Sequence, residues 1–270
     1  MAHRRIDRPD ERAVPVMAAD YCFMGEKDEG EANARCMPIL VMKFDVDKWL
    51  HSHAAPHKGT KHPWGARKMA DAMVQSGFPK IFLKTDNEPA ILELKRAAVR
   101  LAREEVAIEV VLEESNEYEN QTNGFVEQVV QAVERKVRTL KFPVEELHGV
   151  CLPPNHPILV WAVEYASQIT NRLHKYVGEG RTAFELRRGK AYRRALPPFG
   201  EKIAAMILGK KKQKNEYRSF EAIYVGLVER SDMVIVMTPQ NGAQKVATVK
   251  RLPESQRKDG DMVMALQGLP

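Results

Sequence analysis

The sequence predicts an α/β domain followed by a smaller β-rich one, and three observations carry that expectation. Short apolar runs alternate with segments of helical period between residues 13 and 177. The first two runs are separated only by a polar stretch, EKDEGEANAR, which reads as a hairpin loop and makes the sheet mixed rather than all parallel. After RRGKAYRRALPPFG only strand-like runs remain, broken by short polar turns.

The elements follow in order. AVPVMAADYCF (13–23) and CMPILVMKFDV (36–46) are apolar strands bounded by turn-forming residues. WGARKMADAMVQSG (64–77) has helical spacing and stops at a glycine. PKIFLKTD (79–86) is a short buried strand. EPAILELKRAAVRLAREE (88–105) is a helix with Pro89 in its first turn, and AIEVVLEE (107–114) a strand. Thr122 or Asn123 can cap the next helix, which runs to about Phe142. Its Val126, Val129, Val130, Val133, Val137 and Leu140 follow the 3.6 period, while Glu127, Gln131, Glu134 and Arg138 fall on another face. A further helix is expected over 158–177. In the tail, KIAAMILG, FEAIYVGLVE, DMVIVMTP and QKVATVKRL suit a small barrel or sandwich. The expected division is a tail (1–12), an α/β core (13–195), a basic β-rich domain (196–255) and a second tail (256–270).

Composition narrows the function. With 270 residues, 44% apolar and 29% charged, the chain is an ordinary globular one. No apolar run approaches a membrane span, and the charged start MAHRRIDRPDERAV lacks the apolar stretch of a secretory signal. Three scattered cysteines, Cys22, Cys36 and Cys151, point to a reducing, intracellular compartment and form no CxxC zinc pair. Motifs of serine hydrolases, P-loop NTPases and dinucleotide binders are absent.

The net charge of +6 is unevenly placed. Between Leu186 and Arg218 stand eleven Lys/Arg against Glu201 and Glu216, a local +9 that leaves −3 for the rest. Arg187, Arg188, Lys190, Arg193, Arg194, Lys210, Lys211, Lys212 and Lys214 are therefore the candidate contacts to a phosphate backbone, with a solvated linker as the competing reading.

Three acids have informative neighbours. Asp20 lies at the end of an apolar strand, where a carboxylate is costly unless paired or metal-bound. Asp86 ends another strand and opens the turn TDNEP; an Asx-turn or helix cap is its plainer role. Glu127 sits in the first turns of a helix and alone is an ordinary helix glutamate. Asp45 and Asp47 in FDVDKW compete with Asp20. His51, His53, His57 and His62 in HSHAAPHKGTKH are irregularly spaced in what reads as a basic loop, without an acid or cysteine to complete a metal set. Trp49, Trp64 and Trp161 read as core.

Taken together, MAADYCFMG, TDNEPA, QTNGFVEQ and the downstream RTAFELRRGK resemble, in order, the integrase core of copia-type LTR retrotransposons, a DDE member of the RNase H-like superfamily. The resemblance spans about residues 14–250. It implies an RNase H-like mixed five-stranded sheet flanked by helices. It implies that Asp20, Asp86 and Glu127 hold Mg²⁺ or Mn²⁺ for in-line phosphoryl transfer, joining element DNA ends to target DNA. It implies DNA and a homo-oligomer as partners, action in the nucleus, and release from a polyprotein. The alternative is a degenerate or domesticated copy that only binds DNA or a protein. Forty residues separate Asp86 from Glu127, more than is usual in that family.

Overall fold

A computed structural model describes residues 14–24, 37–114, 120–206 and 218–270. Its first sheet contains β1 (Val16–Met24), β2 (Met37–Phe44), β3 (Leu50–Ala54), β4 (Lys80–Thr85) and β5 (Glu109–Glu114), in the order β3-β2-β1-β4-β5. The first three strands form an antiparallel meander, and β4 and β5 join parallel to β1. The parallel connections run through α1 (Trp64–Ser76) and α2 (Pro89–Glu105). The whole is a mixed five-stranded sheet flanked by helices. The polar hairpin loop expected at 26–35 lies outside the described residues.

Side-chain alternation sorts the two faces of the sheet. Met17, Ala19 and Tyr21 of β1 pack with Met69 and Met73 of α1 and with Leu94 and Ala98 of α2. Cys22 falls on the opposite face, with Val129, Val133 and Val137 of α3 (Asn120–His148) and with α4 (Pro157–Leu173). The far side of α4 is covered in turn by a second five-stranded sheet. It contains β6 (Lys202–Met206), β7 (Ser219–Leu227), β8 (Val234–Thr238), β9 (Gly242–Val246) and β10 (Val249–Arg251), ordered β10-β6-β7-β8-β9. One continuous core joins Ile39 and Val41, α3, α4, and Ile203, Ile223 and Val236 of the second sheet.

Helix α4 also clamps both sheets through two amide side chains one turn apart. Asn171 accepts from Leu50 N–H (2.8 Å) and donates to Leu50 C=O (2.7 Å), completing the backbone pairing of edge strand β3. Gln168 does the same for Leu227 of β7, at 2.9 Å in each direction.

Four expectations change. The LHSHA segment is a buried strand, β3, not a loop; Ser52 and His53 bond residues of α4, and His51 faces Glu229 after β7. Helix α3 continues through Pro143 to His148. The proline denies the Thr139 carbonyl its donor, but the last turn is held by tertiary contacts: Val144 is buried, and His148 Nε2 donates to Gly200 C=O at 2.8 Å. A short helix, α5 (Ala183–Arg188), follows α4, started by a complete capping box between Thr182 and Glu185. The last fifteen residues, expected as a tail, are folded. A 3₁₀ turn (Glu254–Gln256) leads to α6 (Gly260–Met264), Val263 and Leu266 are buried, and Trp161 Nε1 donates to Gly268 C=O.

Gly200 marks the joint between α3 and the second sheet. It has φ +79°, and a Cβ there would lie 2.5 Å from Val144 Cγ2. Gly200→Ala is expected to lose about 2–4 kcal/mol through left-handed strain plus overpacking, read as a lower urea midpoint.

Candidate functional site

The pairing of β1 with β4 builds the site. The register runs Val16↔Phe82 to Ala19↔Thr85, and one further step sets Asp20 beside Asp86, on strands spaced about 4.8 Å apart. Alternation puts both carboxylates on the face that carries α3. Asp20 is central in β1 rather than at its end, which corrects the sequence expectation. Its Oδ1 accepts from Tyr21 N–H at 2.7 Å. Burial pushes the Asp20 carboxyl up to about 6, and the charge of Asp86 adds to the rise. Asp86 itself is exposed, just past the end of β4, so solvent and ions reach the pair from that side.

Two further charges surround the pair. Lys58 Nζ binds both carboxylate oxygens of Glu88, at 2.8 and 2.9 Å, and lies over the rings of Tyr21 and Phe23. Both Lys58 and Glu88 act electrostatically on Asp20, in opposite senses. Sequence reasoning singled out neither. Glu88 was visible beside Asp86 in TDNEP, but Lys58 sits in HKGTKH, where only the fold reveals its direction.

Glu127 is exposed in the first turns of α3, on the same side of the sheet. The glutamate of α3 whose charge reaches β1 is Glu134, which acts with Asp20 on Cys22; burial is the larger cause of that thiol being pushed up to about 12. Among the described residues, no three His, Cys, Asp or Glu side chains are grouped so as to hold a metal ion. The structure thus brings Asp20 and Asp86 together and leaves Glu127 on the neighbouring helix.

The rival acids have structural work. Asp45 accepts from Val16 N–H (2.8 Å), tying the start of β1 to the turn after β2. Asp47 is buried; it accepts from Trp49 N–H (3.0 Å) and pairs with Arg187 Nε at 2.5 Å. Arg187 therefore departs from its sequence reading as a DNA contact. Its side chain is only 8% exposed, stacked 4.2 Å over Trp49 and 5.2 Å over Phe44. Arg194 donates to the Asp232 and Ala247 carbonyls, bridging toward the second sheet. Arg188, Lys190 and Arg193 are exposed. Lys210, Lys211, Lys212 and Lys214 lie outside the described residues.

The two histidines of β3 are buried in the sheet rather than carried on the expected loop. His53 Nδ1 bonds the Glu164 carboxylate of α4 at 2.8 Å. His51 faces Glu229, which accepts from Trp49 Nε1 at 2.8 Å; the 3.7 Å between His51 and Glu229 is too long for a hydrogen bond. Burial pushes His51 down to about 4, with Glu229 and Asp47 opposing and His53 and Arg187 adding to the fall. Folding thus favours neutral His51, whereas the unfolded chain takes up a proton near 6.5. Stability is therefore fully present above about pH 6.5 and is lost as pH falls toward 4, by on the order of 2–3 kcal/mol. Urea unfolding at pH 7.5, 6 and 5 checks this, and His51→Gln should flatten the slope.

Among the described residues no helix is long and apolar enough to cross a membrane. No family model matches the chain, and no curated protein matches it. Among solved structures it is similar to the HTLV-2 integrase catalytic core domain in complex with magnesium, in its trimeric form, at 15% identity, covering 64% of this chain and 95% of that one with a TM-score of 0.44. A chain of the simian T-cell lymphotropic virus intasome with a PP2A regulatory subunit is 15% identical, with 88% and 81% covered and a TM-score of 0.40. The BIV integrase catalytic core is 14% identical, with 64% and 93% covered and a TM-score of 0.41. All three superpositions are loose; the fold is defined by the strand order, direction and register given above.

Proposed function

We propose that the chain is a metal-dependent polynucleotidyl transferase of the integrase type, of the copia-type retrotransposon lineage, that joins element DNA ends to target DNA. The observation that carries this reading is the Asp20–Asp86 pair, set side by side by the β1–β4 register at the open end of β4. Two neighbouring hard oxygen donors, one with its carboxyl raised by burial and by the other's charge, fit a divalent cation that relieves both costs. Asp20 and Asp86 would hold Mg²⁺ or Mn²⁺, with Glu127 supplied from α3. When bound, the ion supplies Lewis-acid stabilisation of phosphoryl oxygens. The chain's own residues position the substrate: Arg188, Lys190 and Arg193, with the lysines at 210–214, offer positive charge to the phosphate backbone, and binding should weaken steeply with salt. The protein acts on nuclear DNA and works as a homo-oligomer.

A second reading, a copy that keeps the fold and binds DNA or a protein without turnover, is favoured by Lys58. Its ammonium already sits at Glu88 and offsets the charge of Asp20. Calorimetric titration of Mg²⁺ and Mn²⁺, with a strand-transfer assay on labelled duplex ends, separates the two. Saturable ion binding that Asp20→Asn removes, together with joined product, supports the transferase. No ion binding and no product leaves the binding-only reading, and nicks without joining indicate a nuclease.

A further inference from the structure

The first sheet stops at β5, which has no partner strand on its outer side among the described residues. Glu109 N–H donates inward, to Pro79 C=O at 2.9 Å. The N–H and C=O of one residue point the same way and alternate along a strand, so Val110 and Leu112 direct theirs outward. The Val110 carbonyl is taken by Arg103 Nη2 at 3.3 Å. Leu112 is the next outward position, and its side chain is 42% exposed.

Helix α2 runs alongside this edge. Arg96, Arg100 and Arg103, spaced i, i+4 and i+7, share one face of it. With Val99, Glu104 and Leu112 they line an open groove of about 430 Å³. Arg96 and Arg100 are exposed, with no hydrogen bond or ion pair among the described residues. Three arginines against one glutamate leave the groove positive over an apolar floor. Neither member of the acidic pair lines it.

We propose that the groove between β5 and α2 takes an extended acidic peptide of a partner protein, added to β5 as a sixth strand. Leu112 N–H and C=O pair with the peptide main chain, and strand periodicity turns alternate peptide side chains toward α2. Carboxylates among them meet Arg96 and Arg100, and apolar ones rest on Val99 and Leu112. Arg103, by capping Val110, sets where the added strand begins. A nucleic-acid backbone would use the arginines but neither the strand edge nor the apolar floor, so the peptide fits more of what is there.

The test uses the full chain and a fluorescein-labelled octapeptide, Glu-Ser-Val-Ser-Glu-Ser-Val-Ser, whose glutamates and valines share one face of the strand, followed by anisotropy. Saturable binding is expected, weakened roughly tenfold or more by Arg96→Glu with Arg100→Glu, with circular dichroism unchanged. Methylating the peptide nitrogens that face Leu112 should abolish binding, and the Leu112 amide should exchange more slowly when peptide is bound. Four results would overturn the proposal: no saturable binding; equal binding of the N-methylated peptide; equal competition by an eight-nucleotide thymidine oligomer, which would make the groove a nucleic-acid surface; or a dimer in sedimentation that Leu112→Pro dissociates, which would make β5 a contact between copies.

Discussion

Arg187→Ala is expected to remove about 3–5 kcal/mol of folding stability, because it leaves the buried Asp47 carboxylate without its partner. The guanidinium also fills the space over Trp49 and Phe44, so packing is lost with the charge. Arg188→Ala, one residue on and exposed, should change stability by no more than about 0.5 kcal/mol. Urea unfolding of the two variants measures the contrast. Salt-dependent DNA binding runs the other way: the slope of log affinity against log salt should keep its value in folded Arg187→Ala and fall by about one phosphate contact in Arg188→Ala. Equal stability of the two variants would place Arg187 on the surface, contrary to the geometry.

Asp86→Asn should lower strand transfer on the order of a thousandfold, while leaving the urea midpoint within about 0.5 kcal/mol of wild type. The two halves follow from one fact: Asp86 is exposed beyond the end of β4, so its carboxylate adds little to packing, and on the proposed reading it serves the ion bound beside Asp20. An asparagine keeps the shape of the turn and removes the charge. Glu127→Gln is the companion variant. An equal loss would mean that the start of α3 closes on the acidic pair when ion and DNA are bound; full activity would leave Glu127 as a solvated helix residue. Full activity in Asp86→Asn would sink the phosphoryl-transfer reading itself.

Period and punctuation made much of the fold legible. Helices α1 and α2 fall within a residue or so of their expected ends because Gly77 and Pro89 are unambiguous boundary residues. Strand β3 was not legible. LHSHA looks polar until Asn171, Glu164 and Glu229, more than a hundred residues away, supply its partners. Helix α3 runs past its expected end near Phe142 for the same reason, since the turn after Pro143 is held by the contact of His148 with Gly200 and not by its own propensity. Helix α5 could have been found, as T-x-x-E in TAFE is a capping box in plain view. At the candidate site, residue type and strand position pointed to Asp20 and Asp86, but only register shows them to be neighbours. The basic segment shows the limit of counting charges, for Arg187 is one of its eleven cations and faces inward.

The double clamp of α4 bears on how such a protein can be inherited. Gln168 and Asn171 each complete the backbone of a different sheet, and the apolar residues of α4 lie in the one core that both sheets share. A recombination event that carried only the first sheet and its helices into a new gene would deliver an α4 with one flank raw. One that carried only the second sheet would deliver strands lacking the helix that covers them. The unit that can move intact between lineages therefore runs from β1 through α6, and changes at positions 168 and 171 are constrained by two neighbourhoods rather than one.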